Sequence, residues 1–476
     1  MTDARGEAFA AERFRETGRR VVDALADYLA RAAGADPALP VLPAVSPEVM
    51  VRAWSAPPTE AGGADALEIL GRAIEGSNHL HHPGYVGHQV SAPLPLAALA
   101  ELASALLNNG MAVYETGPAA TAIERAVVRF LADRAGLPPS ADGVLTSGGS
   151  AGNLTALLAT RQARAGFDVW RRGLHAGPPL ALLVSEQAHY CVRRAAGIMG
   201  LGEDGVFLVP TDERFRMRPD ALPAALEAAR AAGRAPFAVV ASAGSTATGA
   251  HDPLPEIADF CAARGLWLHV DAAHGASALL SPRLAPRLAG IERADSIVWD
   301  AHKMAMMPAL ATAVLYRDGA RSFGAFAQEA SYLFDGVDPA AEWWNLGGRT
   351  LECTKRMMGL PLWVALHVYG TRFFAEHVER TYDLARWLAT RLRAEPDFEV
   401  AHEPDANILC FRHRPDGERD LDALQPLLRR RVNEGGGAYL VQTRLRGATW
   451  LRVTLIGPAT SPADLERLVA AIRAAV

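Results

Sequence analysis

FAVVAS (237–242), LWLHVD (266–271), SIVWD (296–300) and ATAVLY (311–316) are the runs on which the fold turns. Each is short, apolar and built around Val, Leu or Ile, with Ala- and Leu-rich helical stretches around it, the pattern of buried strands alternating with helices. Towards the N-terminus, GVLTS (143–147), LALLVS (180–185) and GVFLVP (205–210) extend the same pattern. Seven such strands between about residues 140 and 320 predict one large α/β domain, a mainly parallel sheet covered by helices. Ligands of these sheets sit beyond the carboxyl ends of the strands, and the polar residues considered below follow strands at that end.

Outside this block the pattern changes. Residues 7–32 carry Phe14, Val21, Val22, Leu25 and Leu29 at helical spacing, so an amphipathic helix opens the chain. From Pro37 to Pro58 prolines recur every few residues, which predicts an extended arm rather than a packed element, one able to wrap a partner subunit. After Gly370 a long helical stretch leads to the strands FEVAHE, NILCFRH, GAYLVQT and TWLRVTLIG, a separate C-terminal α+β domain. The expected division is an arm over 1–78, a large domain over 79–369 and a small domain over 370–476.

Half of the 476 residues are hydrophobic, which allows a large buried core. Forty-eight basic against 53 acidic residues leave a net charge of -5, too mild and too evenly spread for a nucleic-acid or membrane surface, so small molecules are the expected partners. PLPLAALAELASALL (93–107) is interrupted by Pro and Glu and falls short of a bilayer span. The opening MTDARGEAFAAERFRE lacks the basic-then-apolar order of a secretory signal, and a cytoplasmic protein is expected. Cys191, Cys261, Cys353 and Cys410 form no CxxC pair, so reduced thiols are expected rather than disulfides or a thiolate metal site.

Three positions combine into a chemistry. Ser147-Gly148-Gly149-Ser150 lies between a strand and a helix, where free backbone N–H groups and the helix dipole receive a phosphate; turns of this composition also form for conformational reasons alone. Asp271 ends the apolar run LWLHV, where an ionised carboxylate needs a positive or hydrogen-bonding partner, such as a protonated ring nitrogen or the N–H groups of a following turn. Lys303 follows another strand among Met304, Ala305, Met306 and Met307, surroundings expected to lower its pKa and leave the amine nucleophilic. A phosphate cradle, a pyridinium partner and an imine-forming amine are what pyridoxal 5'-phosphate requires.

TSGGSAGNL (146–154), SEQAHYCVRRAA (185–196), ASAGSTATGAHDPL (241–254), HVDAAHGA (269–276) and DAHKMAMMPAL (300–310), in this order and spacing, resemble the group II pyridoxal-dependent amino-acid decarboxylases. That family includes the glutamate, cysteine sulfinate, diaminobutyrate and aromatic amino-acid decarboxylases, and the likeness runs from about His79 to the C-terminus. It implies a fold-type I, aminotransferase-like architecture, a homodimer with active sites at the subunit interface, and conversion of an L-amino acid to its amine and carbon dioxide. By position, Gly149 and Ser150 match phosphate binders, His189 the histidine stacked on the cofactor and Thr246 a residue beside it. Asp271 matches the pyridinium partner, Ala273 a small residue packed on the ring, His302 a phosphate-side contact and Lys303 the imine lysine. Tyr332, in ASYLFDG, matches the mobile-loop tyrosine that protonates the carbanion left after carbon dioxide departs; phenylalanine there is associated with oxidative deamination to an aldehyde.

Gln89 and Ser91 in GHQVSAP resemble substrate-side residues of the glutamate-type enzymes, and Arg452 in TWLRVTL matches an arginine that grips a substrate carboxylate. The chain departs from the family where Asp300-Ala301 replaces the usual Asn-Pro before His302-Lys303, and at His274, where an aromatic residue is common. A carboxylate at position 300 repels a phosphate unless it is turned away or hydrogen-bonded. His79, His81, His82 and His88 lack a nearby carboxylate or thiol set at ligand spacing, and no metal is expected. Besides decarboxylation to an amine, aldehyde formation and a non-catalytic cofactor-binding protein are the readings left open.

Overall fold

The computed structural model describes residues 4–326 and 342–476. It divides into two compact units, one of Met1–His88, Thr390–Ala401 and Cys410–Val476, the other of Gln89–Ala389 and His402–Leu409.

In the larger unit all seven expected runs are strands: β1 Asp142–Thr146, β2 Leu180–Ser185, β3 Val206–Val209, β4 Ala235–Ser242, β5 Trp267–Asp271, β6 Ser296–Asp300 and β7 Thr312–Tyr316. They form one sheet in the order β1-β7-β6-β5-β4-β2-β3. Strands β3, β2, β4, β5 and β6 pair in parallel, whereas β7 is antiparallel to both β6 and β1. The reason lies in the connection: residues 301–311 between β6 and β7 contain no helix, and a parallel return needs a longer crossover. A strand opposed to both neighbours leaves them parallel to each other, so β1 ends on the same edge as β6.

Every residue of β2, β5, β6 and β7 is buried, as a sheet covered on both faces requires. Val144, Leu182, Val240, Val298 and Val314 pack with Ala156, Leu157 and Ala159 of the helix Gly149–Arg164, which lies across the sheet and starts at its carboxyl edge.

The smaller unit carries most of a second sheet, β8 Phe398–Val400, β9 Ile408–His413, β10 Val441–Leu445 and β11 Ala448–Thr454, in the order β10-β11-β9-β8. The amphipathic opening is the helix Ala11–Ala33. The Pro37–Pro58 stretch differs from the expected extended arm, because Pro47–Ala53 is helical: the Ser46 hydroxyl accepts the Val49 N–H, and Pro47 sits in the first turn, where its missing N–H costs nothing. Leu39 and Val41 are buried, and the Val41 N–H donates to the Gly436 carbonyl at 2.8 Å. No described helix is long and apolar enough to cross a membrane.

Candidate active site

Strand register brings the first pieces together. Thr146 of β1 pairs with Thr312 of β7, and Thr312 pairs with Asp300 of β6, so the turn after β1 and the end of β6 stand at one level. Gly148 begins the following helix at φ 100°, a backbone state that a Cβ disfavours, and no described side chain caps the helix. Its first N–H groups therefore retain their capacity for an anion. Gly149 approaches β6 closely: a methyl group on its Cα would lie 2.9 Å from an Asp300 carboxylate oxygen. Ser150 is exposed, and the exposed Ser147 donates to Glu352 at 2.6 Å.

Lys303 lies on the loop after β6, flanked by the buried residues Met304, Ala305, Met306 and Met307. The Ser91 hydroxyl donates to the Lys303 carbonyl at 2.6 Å, and the Leu94 N–H donates to the Met306 carbonyl at 2.9 Å, which pins the loop. Lys303 Nζ is 2.9 Å from Asp300 Oδ2, while the Thr312 hydroxyl donates to Asp300 Oδ1 at 2.5 Å. The carboxylate at position 300 is thus both ion-paired and hydrogen-bonded. His302 places Nε2 3.7 Å from Asp300 Oδ2 and Nδ1 3.0 Å from the Ala311 carbonyl oxygen.

The ion pair reverses one expectation from sequence. Burial pulls the Lys303 pKa down, but Asp300, with Asp271 assisting, more than compensates and holds it above the ordinary lysine value. The amine in this state is an ammonium ion rather than a neutral nucleophile.

Asp271 ends β5, is buried, and accepts the Ala273 N–H at 3.2 Å. Burial raises its pKa, and the Lys303 charge works in the opposite sense. One backbone N–H leaves an ionised carboxylate with acceptor capacity for a cation. Ala273 is buried, and its carbonyl accepts the Asp300 N–H at 3.1 Å, tying the ends of β5 and β6 together. His189 follows β2; its ring is half-buried, accepts the Cys191 N–H at 3.3 Å, and has its pKa lowered by burial against the opposing charge of Asp271. Thr246 is half-buried in the turn after β4, which a 3.0 Å hydrogen bond between the Ser245 and Thr248 hydroxyls closes.

Gln89 is half-buried, with its Nε2 buried and without a hydrogen-bond partner among the described residues. Arg452 belongs to the smaller unit, on β11, where it is buried and its pKa is lowered by that burial. Tyr332 lies outside the described residues.

A further signal is present in the sequence: the chain has two lysines, Lys303 and Lys355, among its 48 basic residues. Lys355 is buried, pairs with Glu124 and donates to the Leu145 carbonyl at 2.8 Å, while the Leu145 N–H donates to Glu124 at 2.9 Å. This pair satisfies backbone groups of β1, the edge strand, and so steadies the turn that follows it. Thr312 and Asn407, which lies 2.6 Å from His274 Nε2, had no comparable signal, because strand register and tertiary packing set their partners.

A primary amine at a strand-end loop, a buried carboxylate with acceptor capacity and an uncapped helix start form a donor set that fits pyridoxal phosphate. On a mainly parallel sheet they define a fold-type I pyridoxal-phosphate enzyme. Residues 72–414 match the family described as the pyridoxal-dependent decarboxylase conserved domain. Human cysteine sulfinic acid decarboxylase is 33% identical over 415 residues, 85% of this chain and 84% of the relative. The L-2,4-diaminobutyrate decarboxylase of Rhizobium meliloti (strain 1021) is 34% identical over 419 residues, 87% of this chain and 82% of the relative. The crystal structure of mouse CSAD superposes with a TM-score of 0.86 at 30% identity, covering 95% of this chain and 98% of that one. That of Oryza sativa TDC with PLP and tryptamine gives 0.88 at 26% identity, covering 98% of each chain. The chain belongs to the pyridoxal-dependent decarboxylase family, and it is an amino-acid carboxy-lyase whose cofactor is pyridoxal 5'-phosphate.

Proposed function

We propose that this decarboxylase releases carbon dioxide from an L-amino acid to leave the amine, with Lys303 as the residue that holds the cofactor. One observation carries the assignment: of the two lysines, Lys355 is engaged with Glu124 at the edge strand, whereas Lys303 lies at the carboxyl edge between two strand-end aspartates. Bound there, the cofactor supplies an electron sink for the bond to the carboxylate as it breaks.

The remaining roles belong to the chain. Asp271 would keep a proton on the ring nitrogen, and His189 and Ala273 would pack on the ring. Gly149, Ser150 and His302 take the phosphate, and Thr246 borders the ring. Ser91, bonded to the Lys303 carbonyl, holds the lysine loop on the substrate side. Gln89 and Arg452 are the groups that the family resemblance assigns to substrate, Arg452 to a carboxylate. Tyr332 delivers the proton to the α-carbon.

A homodimer is part of the same reading. Leu99, Leu102 and Leu106 are exposed at helical spacing on Pro95–Leu107, as are Phe14, Val22 and Leu25 on Ala11–Ala33, and apolar faces of this kind are ordinarily covered by a partner.

Borohydride reduction of cofactor-loaded protein, followed by peptide mapping, is expected to place the adduct on Lys303 and to find none in K303A; an adduct elsewhere overturns the assignment. A panel of acidic, diamino and aromatic amino acids, with mass detection of products, is expected to yield an amine and carbon dioxide. Aldehyde with hydrogen peroxide instead would overturn the proposed role of Tyr332.

A further inference from the structure

Among the described residues Asp300 is the one carboxylate in hydrogen-bond reach of the Lys303 amine, at 2.9 Å, and its other oxygen is fixed by the Thr312 hydroxyl at 2.5 Å. It also stands against Gly149, so closely that a methyl group there would come within 2.9 Å of it. The carboxylate is therefore pinned between the nucleophile and the start of the helix that would receive a phosphate. An asparagine in its place would keep the Thr312 hydrogen bond and lose the charge.

We propose that Asp300 is a positioning residue that acts as a latch on cofactor loading: it stores Lys303 as an ion pair in the cofactor-free chain and must release it before the aldehyde is captured. This rests on Lys303 being the cofactor lysine and extends that assignment. In the capture step the ammonium gives one proton to solvent, and the freed lone pair forms the C–N bond to the aldehyde carbon. The carbonyl oxygen leaves as water, taking the two protons that remain on nitrogen, and the C=N bond is complete. Asp300 opposes the first of these events, because it stabilises the protonated amine.

Other charged and titratable groups face the pair. Asp271 at the end of β5 reinforces the ammonium; His189 and Cys191, themselves within the field of Arg194, approach from the segment after β2, and His302 is adjacent in sequence. Removing Asp300 leaves all of these in place, so a shift in D300N reports the latch itself. An opposite charge within this distance moves a lysine pKa by about 1–3 units, and each unit changes the neutral fraction about tenfold.

Two measurements on the full chain test this. In the first, capture of pyridoxal phosphate by cofactor-free protein is followed by absorbance across pH, with the adduct mapped after reduction. D300N is expected to load about tenfold or more faster at neutral pH, with its midpoint moved down by about one unit or more. In the second, limited acetylation of the cofactor-free chain is read by mass spectrometry, with Lys355 as the internal reference. Lys303 is expected to label about tenfold or more faster in D300N, with Lys355 unchanged. D300S, whose side chain is too short to bridge to the amine, gives the same result should D300N fail to fold.

An unmoved midpoint with unchanged labelling overturns the latch. So does slower loading at an unchanged midpoint, which would make Asp300 a proton donor in loading. An adduct absent from Lys303 in both wild type and D300N overturns instead the cofactor assignment on which the latch rests.

Discussion

Asp271 and Gly149 show how much chemistry can rest on a single atom's surroundings. Asp271 is buried and, among the described residues, accepts one backbone N–H, so D271N keeps the shape of the site and removes the charge that the proposed function sets against the ring nitrogen. Turnover of cofactor-loaded D271N is expected to fall about 10²–10³-fold with the fold retained, measured as kcat beside a circular dichroism spectrum. Gly149 has the opposite constraint, space. In G149A the new methyl group would lie 2.9 Å from Asp300, so the carboxylate or the helix start must move, and cofactor affinity is expected to fall about tenfold or more in an equilibrium titration.

At the scale of elements, buried polar side chains tie strands and helices together. His269 on β5 lies 2.8 Å from Ser296 of β6 and 2.8 Å from Asn153 of the helix Gly149–Arg164. Burial pushes its pKa down to about 3, and it pushes those of His251 and His377 to about 4. Because the unfolded chain takes up these protons near pH 6.5, their contribution to stability is full above that value and is lost as pH falls towards 4. Each histidine held neutral costs about 1.4 kcal/mol per pH unit in this window. Urea unfolding between pH 7 and 4.5 is expected to show a decline that is shallower in H269Q, by about one proton's worth. K355M breaks the buried pair with Glu124 at the edge of β1 and is expected to destabilise the protein by about 3–5 kcal/mol in the same assay.

For the whole molecule the prediction concerns assembly. The exposed Leu102 and Leu106 share a helix face, so one covering surface would meet both. If that face is a subunit interface, the double variant L102R/L106R sediments as a single chain, whereas wild type sediments at twice that mass. A wild-type protein that sediments as one chain at micromolar concentration would contradict the dimer.

What the sequence by itself determined was local. Each of the seven strand runs announces itself by apolar, β-favouring composition, and residues that follow such runs in a doubly covered sheet fall at its carboxyl edge, so the placement of Asp271, Lys303 and the Ser147–Ser150 turn as candidate site residues was legible before any contact was known. The tertiary structure decided relations across the chain. The short connection after β6 reversed β7, and the resulting register set Thr312 against Asp300 and Gly149 beside it. Two features that composition concealed are local instead: the helix Pro47–Ala53 starts at the Ser46 cap, and the charge state of Lys303 turns on Asp300, three residues before it, whose carboxylate the Thr312 hydroxyl orients. Propensity and periodicity act over a few residues, whereas the direction in which the Asp300 carboxylate faces depends on partners such as Thr312 that strand register brings within a few ångströms of it.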